Sequence, residues 1–90
     1  MARNVEYEQR PAPAYAKWGR IAMQETKRKY PNAQIVDYLH VGRKENPKTT
    51  TETFKLWLKQ AGREFGVYVT IKFDTKTEKL LQLTIKETNR

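Results

Sequence analysis

From Thr51 to Glu87, apolar and polar residues alternate in three runs. Phe54, Leu56 and Leu58 form the first, Phe65, Val67, Val69, Ile71 and Phe73 the second, and Leu81, Leu83 and Ile85 the third. Successive side chains on a strand point to opposite faces, so each run makes one oily face and one polar face. Joined by short polar turns, the runs predict an antiparallel meander with a single side to cover. Turning strand two (Thr51–Lys59) into strand three (Glu64–Phe73) through Gln60-Ala61-Gly62-Arg63 fixes the register. Leu58 then opposes Phe65, Lys59 opposes Glu64, and Trp57 opposes Gly66, where the indole can cover a residue without a side chain. Asp74 to Glu78 is the next turn, and Lys79–Glu87 the last strand.

The cover comes from the preceding segment. Pro13 to Tyr30 reads as a helix, with proline at a first position where its missing N–H is not needed. Tyr15, Trp18, Ile21, Ala22 and the Lys29 stem fall on one stripe. Glu25 is spaced to pair with Lys29, the basic run Lys27-Arg28-Lys29 suits the helix C-terminus, and Pro31-Asn32 stops the helix. Gly19 weakens it unless a close contact needs the space. A first strand over Gln34–Val41 has mixed parity: Ile35, Leu39 and Val41 share a face with Asp37, while Val36, Tyr38 and His40 take the other. An edge strand or a bulge explains this. Gly42 to Thr51 then reads as a polar loop. The expectation is an α+β domain over 13–87, one N-terminal helix on one face of a four-stranded antiparallel β-meander (α-β-β-β-β), with an arm at 1–12 and a tail at 88–90.

Ninety residues support one modest core, and without cysteine no disulfide or thiolate–metal framework supplements it. No stretch is long and apolar enough for a membrane helix, and Met1 to Tyr7 lacks the apolar centre of an export signal. Eighteen Lys and Arg against 10 acids give a net charge of +8. Such a field concentrates polyanions, whether nucleic acid, anionic headgroups or cell-wall polymers.

Catalytic chemistry finds little support. The chain has no serine. His40 is the sole histidine, and Asp37 and Glu45 do not stand at ligand-like spacing from it, so it reads as an ordinary strand residue. Gly42 to Thr49 has the outline of a phosphate loop, but Pro47 replaces the second glycine and a strand follows instead of a helix. We expect no catalytic residue, cofactor or metal, and no enzymatic activity. The outward side of the meander is the candidate ligand-binding face: Lys55, Trp57, Lys59, Tyr68, Lys72 and Lys86, beside Gln82 and Thr84. Rings among lysines can stack bases or sugars while cations hold phosphates. Lysines also serve simply to solvate an open sheet and discourage edge pairing.

The helix ending in Tyr30-Pro31-Asn32-Ala33, followed by a strand and a meander whose last turn is Asp74-Thr75-Lys76-Thr77-Glu78-Lys79, resembles PepSY-like and cystatin-like units. Asn32 and Glu78 stand where PepSY units carry glycine. Tyr15-Ala16-Lys17-Trp18-Gly19, Tyr30-Pro31-Asn32-Ala33 with Ile35-Val36-Asp37-Tyr38, and Glu64-Phe65-Gly66-Val67 look like the small Bacillus-type YqzG/YhdC family, over most of residues 11–87. That resemblance implies a helix-on-sheet fold and export after removal of a signal, and it transfers no functional residues. The resulting expectation is a non-catalytic, monomeric, extracytoplasmic interaction domain with an anionic wall polymer or an exported protein as partner. The alternatives are single-stranded nucleic-acid binding through Trp57 and Tyr68, a protease-modulating domain, and a cytoplasmic location.

Overall fold

In a computed structural model, residues 14–90 are described. The arm at 1–12 and the helix start at Pro13 lie outside them. Helix α1 (Ala16–Lys29) precedes strands β1 (Gln34–Glu45), β2 (Thr49–Gln60), β3 (Arg63–Asp74) and β4 (Leu80–Thr88). The strands form one sheet in the order β1-β2-β3-β4, every neighbour antiparallel. This is the α-β-β-β-β meander.

The β2–β3 hairpin has the register that the alternation demands, with Leu58 opposite Phe65, Lys59 opposite Glu64 and Trp57 opposite Gly66. Its two-residue turn places Ala61 (φ 52°) and Gly62 (φ 79°) in the left-handed region, which matches the twist of the flanking strands. Phe54, Leu56, Leu58, Phe65, Val67, Val69, Ile71 and Phe73 are all buried on the helix side. The helix contributes Trp18, Gly19, Ala22 and Thr26 to that contact, with Tyr15, Ile21, Met23 and Tyr30 at its margins. Trp18 stacks on Phe73, centroids 4.2 Å apart, and Tyr30 meets Phe65 edge-on at 5.4 Å. Each end of the helix is thereby anchored on an aromatic ring at opposite ends of β3. Glu25 pairs with Arg28 at 3.6 Å, not with Lys29.

The mixed parity of β1 has a definite cause. It is an edge strand with two bulges: Val36 and Val41 are skipped in its pairing with β2. Each extra residue restores the faces, so Ile35, Tyr38 and His40 point with the apolar set of β2, while Asp37 and Leu39 point away. Gly42 to Glu45 continue this strand, and the expected ten-residue loop shrinks to Asn46–Lys48. A third irregularity lies between β3 and β4. Phe73 pairs with Leu80, so Leu81 is expelled from the core side and is 51% exposed, while Leu83 and Ile85 pack inward. In the turn before β4, the Asp74 carboxylate accepts from the N–H groups of Lys76 and Thr77. Glu78 is left-handed there (φ 63°), at the position where PepSY-like turns carry glycine.

Ion pairs close the sheet rim near Tyr30. Arg63 Nη2 donates to Glu87 Oε2 at 2.5 Å, and the Tyr30 hydroxyl donates to Oε1 at 3.1 Å. These contacts, the Arg63 one first, hold the Glu87 carboxyl below its ordinary value. A carboxyl held low stabilises the fold above its unfolded-state value, and the contribution is lost as pH falls through the lowered one. Arg63→Met should therefore flatten part of the acid limb of the stability curve, read as urea midpoints from neutral pH downward; an unchanged limb would contradict the pairing.

Gly19 has a steric reason to be there. A β-carbon at this position would collide with the Tyr38 hydroxyl and stand 3.2 Å from Tyr38 Cζ and 3.4 Å from Phe54 Cε1. Gly19→Ala gains up to about 1 kcal/mol of helix propensity, yet should destabilise by about 1–3 kcal/mol through overpacking. In a Tyr38→Phe background the penalty should shrink or reverse. Equal penalties in both backgrounds, measured by urea unfolding, would rule the contact out.

Candidate ligand-binding face

The helix covers one side of the sheet and leaves the other open. Antiparallel pairing arranges that open side in rows across the strands. One row reads Leu39, Lys55, Tyr68, Lys86, and the next reads Asp37, Trp57, Gly66, Thr88. Lys55, Trp57, Tyr68 and Lys86 therefore form one patch. Lys59 is two residues beyond Trp57 and faces Glu64. Lys72 is farther off, in the row Lys44, Thr51, Lys72, Gln82, with the threonines Thr53, Thr70 and Thr84 between it and Tyr68. Four residues of strand separate Lys72 from Tyr68, about 13 Å. The six candidate residues share one face; five of them adjoin, and Lys72 stands apart.

Lys55 is not a solvent lysine. It is 8% exposed, with its ammonium 5.0 Å from the Trp57 ring centroid and 4.6 Å from that of Tyr68. Both rings offer their negative faces to the cation. The ammonium also donates to the carbonyl oxygen of Arg90 at 2.7 Å. This arrangement changes the role of Gly66. The atoms nearest the space above it are Lys55 Cε, the Arg90 carbonyl carbon and Thr88 Oγ1, at 2.6, 2.8 and 2.9 Å from a notional β-carbon. The lysine stem and the chain beyond β4 lie over the glycine that the register sets opposite Trp57.

The face is less uniformly basic than the lysine pattern implied. Asp37 sits opposite Trp57, and Glu64 opposite Lys59. Apolar groups also join its rim, since the bulged edge strand exposes Val36, Leu39 and Val41. Tyr68 is 39% exposed and supplies the accessible ring surface at the centre.

A second cluster lies on the helix side and escaped the motif search. Glu52 is fully buried at the end of the apolar row of β2. Its Oε2 accepts from Arg43 Nη1 at 2.5 Å, and its Oε1 is 2.7 Å from His40 Nε2. Tyr15 stacks on the His40 ring at 3.9 Å, nearly parallel, just before the first turn of α1. The partner of His40 is thus across the hairpin, twelve residues away, not a neighbour in the chain. Among the described residues no three His, Asp or Glu side chains converge as metal ligands would. The available signal was a carboxylate on the inward parity of β2, in register with Phe54, Leu56 and Leu58.

The family described as Protein of unknown function (DUF3889) matches residues 1–87. This chain belongs to that family. It is 35% identical over 72 residues to the uncharacterized protein YqzG of Bacillus subtilis (strain 168), a span covering 80% of this chain and 67% of that protein. A solved structure described as an NMR structure of a protein from Bacillus subtilis superposes with a TM-score of 0.76 at 33% identity, covering 83% of this chain and 86% of that one. The likeness read from the Tyr15–Gly19, Tyr30–Tyr38 and Glu64–Val67 segments is therefore a family relationship.

Glu52 carries a testable consequence. Removing one partner of a buried ion pair leaves an uncompensated charge, whereas replacing the charge by an apolar side chain is often neutral. Arg43→Ala should destabilise by about 3–5 kcal/mol, and Glu52→Leu by much less. Chemical unfolding of the two variants measures this difference, and an Arg43→Ala midpoint equal to that of the unaltered protein would contradict it.

Proposed function

We propose that this protein is a non-catalytic, extracytoplasmic binding domain whose open sheet face holds a phosphate-rich anionic polymer. The observation that carries the reading is the uncovered face itself, on which Trp57 and Tyr68 lie among Lys55, Lys59, Lys72 and Lys86. Cations spaced over several strand rows suit a polymer with repeating charges, because each row meets a different unit of the chain. The ring surface of Tyr68 gives the repeat something flat to rest on. The net charge of +8 supports the reading by raising the local concentration of any polyanion. The absence of cysteine from the sequence suits a location in the envelope of a cell that makes little use of disulfides. The buried Glu52–His40–Arg43 cluster supports a structural role on the opposite side, since it faces the helix and its charges pair with one another.

Titration with linear inorganic polyphosphate at low salt, followed by amide NMR shifts, tests the proposal. Shifts should centre on Trp57, Tyr68, Lys72 and Lys86. The Lys59→Glu, Lys72→Glu, Lys86→Glu triple variant should lower the slope of log affinity against log salt by about two, roughly 0.7 per neutralised phosphate as for single strands. Binding that is insensitive to salt, or shifts confined to the helix side, would sink the polyanion reading. Tighter binding of single-stranded DNA than of polyphosphate, with quenching of Trp57 fluorescence, would replace the wall polymer by nucleic acid.

A further inference from the structure

Among the described residues the sheet has two free edges, and the chain treats them differently. β1 carries a bulge at Val36 and another at Val41, which twist that edge and interrupt its row of backbone N–H and C=O groups. β4 pairs without a skip from Gln82 to Thr88, so its outer edge keeps a regular row of such groups. Its inward side is also thinly covered. The helix packs across β1, β2 and β3, while on β4 Leu83 and Ile85 are only half-buried and Leu80 and Leu81 are exposed. An unpaired edge beside an apolar strip is a surface on which another strand can pair.

The sequence of β4 singles out which strand. A two-fold axis normal to the sheet would set two copies of β4 antiparallel. Opposed residues must both turn their N–H and C=O groups toward the partner, or both away. A residue can therefore oppose only one an even number of places from it, and the two helices fall on the same side. With Leu83 on the axis, Leu83 opposes its own copy, Leu81 opposes Ile85, and Lys79 opposes Glu87. On the outward side Gln82 opposes Thr84, and Lys86 opposes Leu80, so no like charges meet. Leu81, which the irregularity beside Phe73 turns out of the core, gains an apolar neighbour. Glu87 already accepts from Arg63 and Tyr30, and its carboxylate has lone pairs left for a third donor. The adjacent registers fit worse. Centring on Thr84 sets Leu81 against Glu87, and centring on Gln82 sets Lys79 against Ile85 and shortens the ladder to Leu80–Thr84. We propose that the free edge of β4 is a self-association surface, where two copies of this chain join into one antiparallel sheet centred on Leu83. This goes beyond the polyanion reading and does not depend on it, and it replaces the monomer expected from the sequence. The two open faces then run on as a single surface. One strand pair is small beside a standard interface of about 1,600 Å², so a Kd of about 10–1,000 μM is expected.

Sedimentation equilibrium of the full chain across that range should show monomer and dimer in exchange. Amide shifts that move with concentration should be confined to Lys79–Glu87. The chain has no cysteine, so single cysteines report the register cleanly. Gln82 and Thr84 are exposed, and across the axis their Cα atoms would stand about 4.5–5.5 Å apart, within reach of a disulfide. Under mild oxidation, a mixture of Gln82→Cys and Thr84→Cys should give the mixed disulfide several-fold in excess over either symmetric one. Leu81→Lys sets a charge against Ile85 of the second copy and should weaken association about tenfold or more. Its urea midpoint at low concentration should stay unchanged, because Leu81 is exposed. A monomer throughout, concentration-dependent shifts on another surface, or symmetric disulfides in excess would overturn the proposal. Full association in Leu81→Lys would do the same. Protection of the β4 amides that does not vary with concentration would assign the edge to another part of the same chain, and would overturn it as well.

Discussion

The pairing register of β2 with β3 is the constraint on which everything else depends. Strand side chains alternate with a period of two, so a slip of one residue would send the whole inward set of one strand, either Phe54, Leu56 and Leu58 or Phe65, Val67, Val69, Ile71 and Phe73, to the solvent side. It would also carry Lys55 and Trp57, or Tyr68, under the helix. No intermediate arrangement exists, because the two faces exchange as whole sets. The Ala61-Gly62 turn, with both residues left-handed, pins the register from one end, and the inward apolar run pins it along its length. Once it is set, the helix has one place to go. Trp18 meets Phe73, Tyr30 meets Phe65, and Gly19 lets the backbone approach Tyr38 and Phe54 between them.

The order of elements and the central hairpin were legible because their signals are local and repeated. Eight inward residues on two strands all vote for one register. The edges were harder for a physical reason: an edge strand has a partner on one side only, so a bulge costs it less and can reset its parity. Val36 and Val41 do so in β1, and Leu81 does so in β4. A pattern of twos cannot announce where it will skip. Gly42 to Glu45 read as loop because they are polar, yet they pair as strand, where Arg43 faces Glu52.

Of the candidate face, the six residues were legible as a set, since parity alone places them on one side. Their grouping was not. Whether Lys72 adjoins Tyr68 depends on row spacing, which needs the register of four strands at once. The state of Lys55 depends on a contact with Arg90, 35 residues away in the chain. Nothing in the neighbourhood of Lys55 in sequence distinguishes it from Lys59, which is exposed. The His40–Glu52 pair escaped for the same reason, as its signal was the single carboxylate in an apolar row.

The two faces deal with charge in opposite ways, and the contrast bears on function. On the helix side, the buried anion Glu52 has both oxygens engaged, one by Arg43 and one by His40, and Tyr15 seals the histidine. The charges of that cluster are paired with one another beneath the helix. On the open side, the buried cation Lys55 donates to the Arg90 backbone oxygen and lies against the faces of Trp57 and Tyr68. The rings of Trp57 and Tyr68 lower the cost of keeping the ammonium there, on the face that the helix leaves open.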